Sequence, residues 1–127
     1  MGVKGELGKV VAGGAMMGPA VENLSYPTTK TTSGLIMLSE ATAQPPQVNP
    51  CIRCGRCVEY CPMGLEPVEV NQAYAARDVQ ELGKLHVDYC FNCGSCSFVC
   101  PAKRPCTQMM GLAKAFYLGE IKKGGNK

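Results

Sequence analysis

The 127-residue sequence has no tryptophan, a single histidine, and only 6% aromatic residues. No Ser/His/Asp set or H-E-x-x-H helix can be read in it. No G-x-G-x-x-G or Walker loop is present either, so nucleophilic catalysis and nucleotide binding have no sequence basis. His86, standing before Val87 and Asp88, has nothing to pair with and reads as an ordinary surface or helix-end residue. Long apolar runs are missing too. The nearest, VVAGGAMMGPAV at residues 10–21, is broken by three glycines and a proline. It falls short of the roughly 20 residues of a membrane span and lacks a cleavage site, which excludes both an anchor and a signal peptide and predicts a soluble chain. Charge of one sign is in little excess, 13 basic against 10 acidic residues. Lys122, Lys123 and Lys127 sit in a short tail, residues 120–127, with no interleaved aromatics, so a solvated flexible end is expected and nucleic acid is not.

What the chain has in quantity is cysteine, nine in all, with 15 glycines and 9 prolines. A loop-rich chain of this length suits one modest domain with a small core that needs reinforcement by something other than apolar burial. Disulfide frameworks rarely repeat one tight spacing, and no export signal is present. Here the spacing repeats. PCIRCGRCVEYCP at residues 50–62 holds Cys51, Cys54, Cys57 and Cys61 as C-x2-C-x2-C-x3-C-P, and Cys90, Cys93, Cys96 and Cys100 repeat it 39 residues later with Pro101 in the place of Pro62. Gly55 maps onto Gly94 by the same shift, so the chain carries a two-unit internal repeat.

A cubane [4Fe–4S] cluster needs one thiolate at each of four irons, and thiols at i, i+3 and i+6 of a tight loop reach three of them. In two-cluster proteins the fourth cysteine of each run serves the other cluster. That assigns Cys51, Cys54, Cys57 and Cys100 to the first cluster and Cys90, Cys93, Cys96 and Cys61 to the second. The proline after each fourth cysteine turns the chain away once the thiolate has been delivered. The alternative is structural zinc, which could take C-x2-C pairs but has no use for the third member of each run or for a proline-held fourth. Cys106, outside both runs, reads as a small buried hydrophobe without a ligand role.

Between the blocks, Pro67 suits a helix start and Gly83 an end, with Ala75, Val79 and Leu82 at helical spacing. After the second block a helix is expected from Pro105, with Met109, Leu112, Ala113 and Phe116 on one face and Gly119 closing it. The methionines read as packing residues. Short β-like pieces at Lys9–Ala12 and Leu35–Leu38 precede a proline-marked linker over residues 44–50. The Gly-Gly-x-Met-Met-Gly stretch reads as a packing turn rather than a phosphate cradle. The expected fold class is mainly α: a helical two-cluster ferredoxin-like domain over residues 51–119 behind a short irregular or β N-terminal segment, residues 1–43. Arg53 and Arg56 lie between the cysteines of the first block, where the second has Asn92 and Ser95. Guanidinium charge favours the more negative reduced state and predicts the higher potential for the first cluster, unless both side chains face solvent or a partner.

GKVVAGGAMMG at 8–18, YPTTKTTSGLIML at 26–38, PCIRCGRCVEYCPMGLEP at 50–67 and CFNCGSCSFVCPAKRP at 90–105 together resemble the C-terminal part of the C subunit of the Rnf electron transport complex. The first two stretches resemble the end of that family's SLBB region. Family members are far longer and carry a flavin and NAD-binding domain ahead of this region, so nothing here corresponds to an FMN or NADH site. The resemblance implies a peripheral subunit on the cytoplasmic, inner face of the bacterial cell membrane. There it would relay electrons through two [4Fe–4S] clusters between flavin/NAD and the membrane subunits of an ion-translocating ferredoxin:NAD oxidoreductase, with the other Rnf-type subunits as partners. As a carrier it needs no catalytic site of its own. A microcompartment flavin-linked reductase shares similar cluster motifs, and a docking module using zinc or clusters for fold stability alone is the non-redox alternative.

Overall fold

The structure, a computed structural model, describes residues 5–124. The chain divides after Gln47 into two compact units.

In the first unit β1 (Leu7–Ala12) pairs antiparallel with β2 (Leu35–Ser39), Val10 opposite Met37 and Val11 opposite Ile36, with a register shift between Leu7 and Lys9. The two β-like pieces of the sequence are these strands. Val11 also bridges to Ala20. The glycine-methionine stretch between the strands is a packing turn: Gly18 N–H donates to Gly14 O at 2.8 Å, and a Cβ on Gly18 would lie 2.6 Å from Ala12 O. One turn of helix, α1 (Glu40–Ala43), follows β2 and packs where Gly8 leaves room, a Cβ there falling 2.6 Å from Glu40 Cα. Val10 is the buried apolar side chain of this unit among the described residues.

In the second unit the repeat extends far beyond the cysteines. Arg53 and Asn92, Gly55 and Gly94, and Gly64 and Lys103 are pairs separated by the same 39 residues, and all six have positive φ. Gly55 (φ 77°) and Gly94 (φ 90°) each precede one turn of helix, α2 (Arg56–Glu59) and α5 (Ser95–Phe98). A Cβ on Gly55 would meet no protein atom, so the left-handed backbone is what selects glycine there. The hydrogen bonds repeat as well. Val58 and Glu59 N–H donate to Gly55 O as Ser97 and Phe98 donate to Gly94 O, and Val70 N–H donates to Glu66 O as Met109 donates to Pro105 O. Helix α3 (Pro67–Ala75) therefore corresponds to α6 (Cys106–Gly124), each beginning at the equivalent residue of its unit.

Three helix expectations are corrected. The segment expected to run as one helix from Pro67 to Gly83 is two, because α3 ends at Ala75 and α4 (Val79–Lys84) starts afresh. Arg77 (φ 57°) takes the left-handed position usually given to glycine, Asp78 N–H donates to Ala73 O, and the Asp78 carboxylate caps α4 by accepting from Glu81 N–H at 3.0 Å. The guanidinium of Arg77 stacks on Tyr74 and Phe116, 4.8 and 5.0 Å from the ring centroids, which offsets the cost of that backbone. Helix α6 does not stop at Gly119 but continues to Gly124, so residues 120–124 of the expected flexible tail are helical and carry a Glu120–Lys123 ion pair. Lys127 lies outside the described residues. The buried face of α6 is Cys106, Met110 and Ala113, rotated by about one residue from the expected stripe, with Leu112 54% exposed.

The core joins Leu65, just ahead of α3, with Val70, Ala73, Leu82, Val87, Met110 and Ala113 from α3, α4, α6 and the 3-10 turn Val87–Tyr89. Val70, Leu82, Val87 and Ala113 are wholly buried. His86 is exposed beside that turn and stacks on Tyr89, as its reading as an end residue implied.

Candidate metal centre

Each cysteine run wraps a left-handed loop around a cavity and then passes its last thiol to the other one. The first cavity, about 290 Å³, is lined by Cys51, Cys54 and Cys57 of the first run and by Cys100 of the second. The second recess is lined by Cys90, Cys93 and Cys96 together with Cys61. The exchange follows from local geometry. Helices α2 and α5 are each one turn long, so the third cysteine points into the unit's own cavity and the fourth, just past the helix, emerges on the far side. The proline and left-handed residue that follow, Pro62 with Gly64 and Pro101 with Lys103, turn the chain back into the next helix.

The thiols line the walls of these spaces instead of converging on a point. Among the described residues no group of three His, Cys, Asp or Glu comes close enough to hold a single metal ion. A four-iron cluster, with one iron at each corner, suits such a spread donor set, whereas one tetrahedral zinc would need the sulfurs drawn together. The wall chemistry also fits an anionic cofactor. The first cavity has apolar walls, including Ile52, Val68, Ala102 and Met109, and three guanidinium residues, Arg53, Arg56 and Arg104; no carboxylate lines it. Asn71 in that wall has a buried Oδ1 without a hydrogen-bond partner.

Hydrogen bonds to sulfur are already in place. Leu65 N–H donates to Cys61 Sγ at 3.3 Å, and Thr107 Oγ1 lies 3.5 Å from Cys96 Sγ. The Cys93 and Cys90 thiols are instead donors, to Ser95 Oγ and Asn92 Oδ1, each at 3.4 Å. Helix α6 holds the second loop from behind, Lys114 Nζ donating to Cys90 O at 2.6 Å and Thr107 N–H to Ser97 Oγ at 2.8 Å. Burial pushes the Cys57 thiol up, opposed by a hydrogen bond to its own backbone and reinforced by Cys96, Cys100 and Cys51. Burial likewise raises Cys96, against the lowering influence of the Thr107 hydroxyl. Iron binding at these sulfurs must therefore drive out protons that the protein alone retains.

Cys106, the first residue of α6, is buried and lines the first cavity next to Cys100. Burial above all, then neighbouring Cys100, Cys96 and Cys57, pushes its thiol up to about 12. The expectation of a small buried side chain is met. Asn71, Arg104 and Thr107 belong to no motif that singles them out, although the 39-residue shift relates Val68 to Thr107 and Asn71 to Met110, all four of which line the cavities.

Residues 50–103 match the family described as a 4Fe-4S dicluster domain. The chain is similar to the C subunit of the ion-translocating oxidoreductase complex of Rhodobacter capsulatus, 40% identical over 77 residues that cover 61% of this chain and 15% of the relative. It is 44% identical over 66 residues to the C subunit of the proton-translocating ferredoxin:NAD(+) oxidoreductase complex of Clostridium ljungdahlii, covering 52% of this chain and 14% of that protein. The C subunit of the Na(+)-translocating ferredoxin:NAD(+) oxidoreductase complex of Acetobacterium woodii is 37% identical over 78 residues, 61% of this chain and 17% of its own. The chain thus spans less than a fifth of the length of these relatives. Residues 50–103 thus match a 4Fe-4S dicluster domain, and over more than half of its length the chain is similar to the C subunits of ion-translocating oxidoreductase complexes.

Proposed function

We propose that this chain is the dicluster relay of an Rnf-type ion-translocating ferredoxin:NAD oxidoreductase complex, passing electrons between flavin/NAD and the membrane subunits. Cys51, Cys54, Cys57 and Cys100 hold one [4Fe–4S] cluster, and Cys90, Cys93, Cys96 and Cys61 hold the other. The observation that carries the reading is the exchange of Cys61 and Cys100 between the two cavities, which brings two cofactor sites into one small fold. When bound, such clusters supply one-electron chemistry without bond rearrangement in a substrate. The protein's own part is to position eight thiolates, donate N–H and O–H groups to sulfur, and keep bulk water from the inner corners. Residues 1–43 are the end of an SLBB-like region, residues 44–50 the linker, and the remaining Rnf-type subunits are the partners. The working position is peripheral, on the inner face of the bacterial cell membrane; no helix among the described residues is long and apolar enough to cross one.

Iron and acid-labile sulfide analysis of anaerobically prepared protein, with EPR after dithionite reduction, tests this. About eight irons and eight sulfides per chain, with a signal broadened by two interacting reduced clusters, is expected. Zinc in place of iron, or iron for one cluster, would overturn the proposal.

A further inference from the structure

The two cysteine loops present different surfaces to solvent. At equivalent positions both expose an apolar side chain, Ile52 at 69% and Phe91 at 51%. Their surroundings differ in charge. Beside Ile52 stand Arg53 and Arg56, both exposed, where the second loop has the neutral Asn92 and Ser95. Neither arginine joins an ion pair among the described residues. Cys51 and Cys54 are themselves exposed, whereas Cys90, Cys93 and Cys96 are half-buried. The first cavity therefore opens at the surface through a rim carrying the exposed Ile52 and two arginines that no carboxylate pairs with among the described residues.

We propose that this rim is the electron port of the relay, and that its partner is a one-electron carrier protein whose redox centre is ringed by carboxylates. The inference rests on the reading of the first cavity as a cluster site. Electrostatic steering by exposed arginines accelerates encounter and orients the partner, while Ile52 supplies an apolar contact at the rim itself. Anionic lipid would satisfy the charges but has no redox centre to place against an exposed cluster. One electron leaves the reduced cluster as the partner's centre gains it, or the reverse, and no proton or bond changes hands. The Phe91 loop, flanked by exposed Tyr89 and Phe98 and without the arginines, is the neutral end.

The test uses the cluster-loaded full chain, reduced with dithionite, freed of excess reductant, and oxidised in a stopped-flow instrument. One probe is anionic hexacyanoferrate(III) and the other cationic hexaammineruthenium(III), each accepting one electron as its metal passes from III to II. Both probes feel any change in cluster potential, so the ratio of their rates isolates the charge at the port. Arg53→Gln with Arg56→Gln should lower the anion-to-cation ratio about tenfold at low salt and have little effect at high salt. Poly-L-glutamate should slow hexacyanoferrate oxidation of the parent protein and not of the double variant. An unchanged ratio in a variant that retains full iron and sulfide would overturn the port while leaving the relay intact. Slowing by phosphatidylglycerol vesicles but not by poly-L-glutamate would overturn the protein partner in favour of a membrane surface. Absence of iron and sulfide from the parent protein would overturn the relay itself, and the port with it.

Discussion

The hydroxyl of Thr107 stands 3.5 Å from the sulfur of Cys96, at the position that Val68 occupies in the wall of the other cavity. A ligating Cys96 is a thiolate and accepts only, so Thr107 must donate to it. The strengthening of such a bond as the cluster gains negative charge is on the order of 1 kcal/mol, or tens of millivolts for a one-electron couple, in favour of the reduced state. Thr107→Val, which copies the first repeat, should lower the potential of the second cluster by that amount and leave the first alone; Thr107→Ser should restore it. An EPR-monitored redox titration reads both potentials, and two unmoved values in the valine variant would remove the assignment.

Charge is the expected lever on the first cluster, and the exposure of Arg53 and Arg56 sets its size. Arg53, Arg56 and Arg104 line its cavity and no guanidinium lines the other. Arg53→Gln with Arg56→Gln should lower the first potential by on the order of tens of millivolts, less at high salt because both side chains are exposed. If the titration instead shows both clusters shifting together, the charges act as a general field and the selective effect is wrong.

The clusters depend on the helices behind them. Leu82 on α4 is wholly buried among Val70, Val87 and Met110, the last of which also lines the second recess. Leu82→Ala should cost roughly 2–5 kcal/mol, a large share of the stability of so small a fold. Leu112→Ala, on the exposed side of α6, should cost less than about 0.5 kcal/mol. Anaerobic melting followed by the visible absorbance of the clusters measures both. Equal losses would mean that the core is not where the structure puts it.

Much of the second unit is legible in the sequence because a cluster demands thiols at set separations, and Gly55 and Gly94 mark the two turns. The strands are legible from alternation and turn residues. The break between α3 and α4 is not, since Arg77 in a left-handed conformation carries no local signal and depends on rings at Tyr74 and Phe116, the second far along the chain. The buried face of α6 differs from the expected stripe because that helix is apolar on more than one side, and only packing against α3 and α4 selects Met110 over Met109 for the core. Asn71 and Thr107 can be found by carrying the 39-residue shift past the cysteines. Arg104 cannot, because it follows the second run but lines the first cavity, a consequence of the crossing.

Cys106 should behave as a proton-retaining core residue. Its thiol, pushed up to about 12 chiefly by burial, is protonated at neutral pH. Its folded pKa is above the ordinary thiol value of about 9, so the folded chain holds the proton more tightly. The stability linked to it is full below about pH 9 and declines as pH rises toward 12. The difference in anaerobic melting temperature between the parent protein and Cys106→Val should therefore shrink from pH 8 to pH 10, with both proteins keeping full iron. A constant difference would show that the thiol does not titrate differently in the folded chain, and loss of iron in the variant would make Cys106 a ligand.

The exchange of the fourth cysteines makes the sharpest prediction, because exchanged and unexchanged arrangements give opposite results in the same variant. With Cys61 in the recess of Cys90, Cys93 and Cys96, Cys61→Ser should damage the second cluster, reducing iron toward about four per chain. The surviving cluster should be the one whose potential falls when Arg53 and Arg56 are also replaced by glutamine. Cys100→Ser should do the reverse and leave a cluster that answers to Thr107→Val. If each run served its own cavity, Cys61→Ser would instead abolish the arginine-sensitive cluster. Identifying which tuning substitution still moves the remaining EPR signal decides between the arrangements, even where serine retains part of the iron as a weaker ligand, since the affected cluster then carries the altered spectrum.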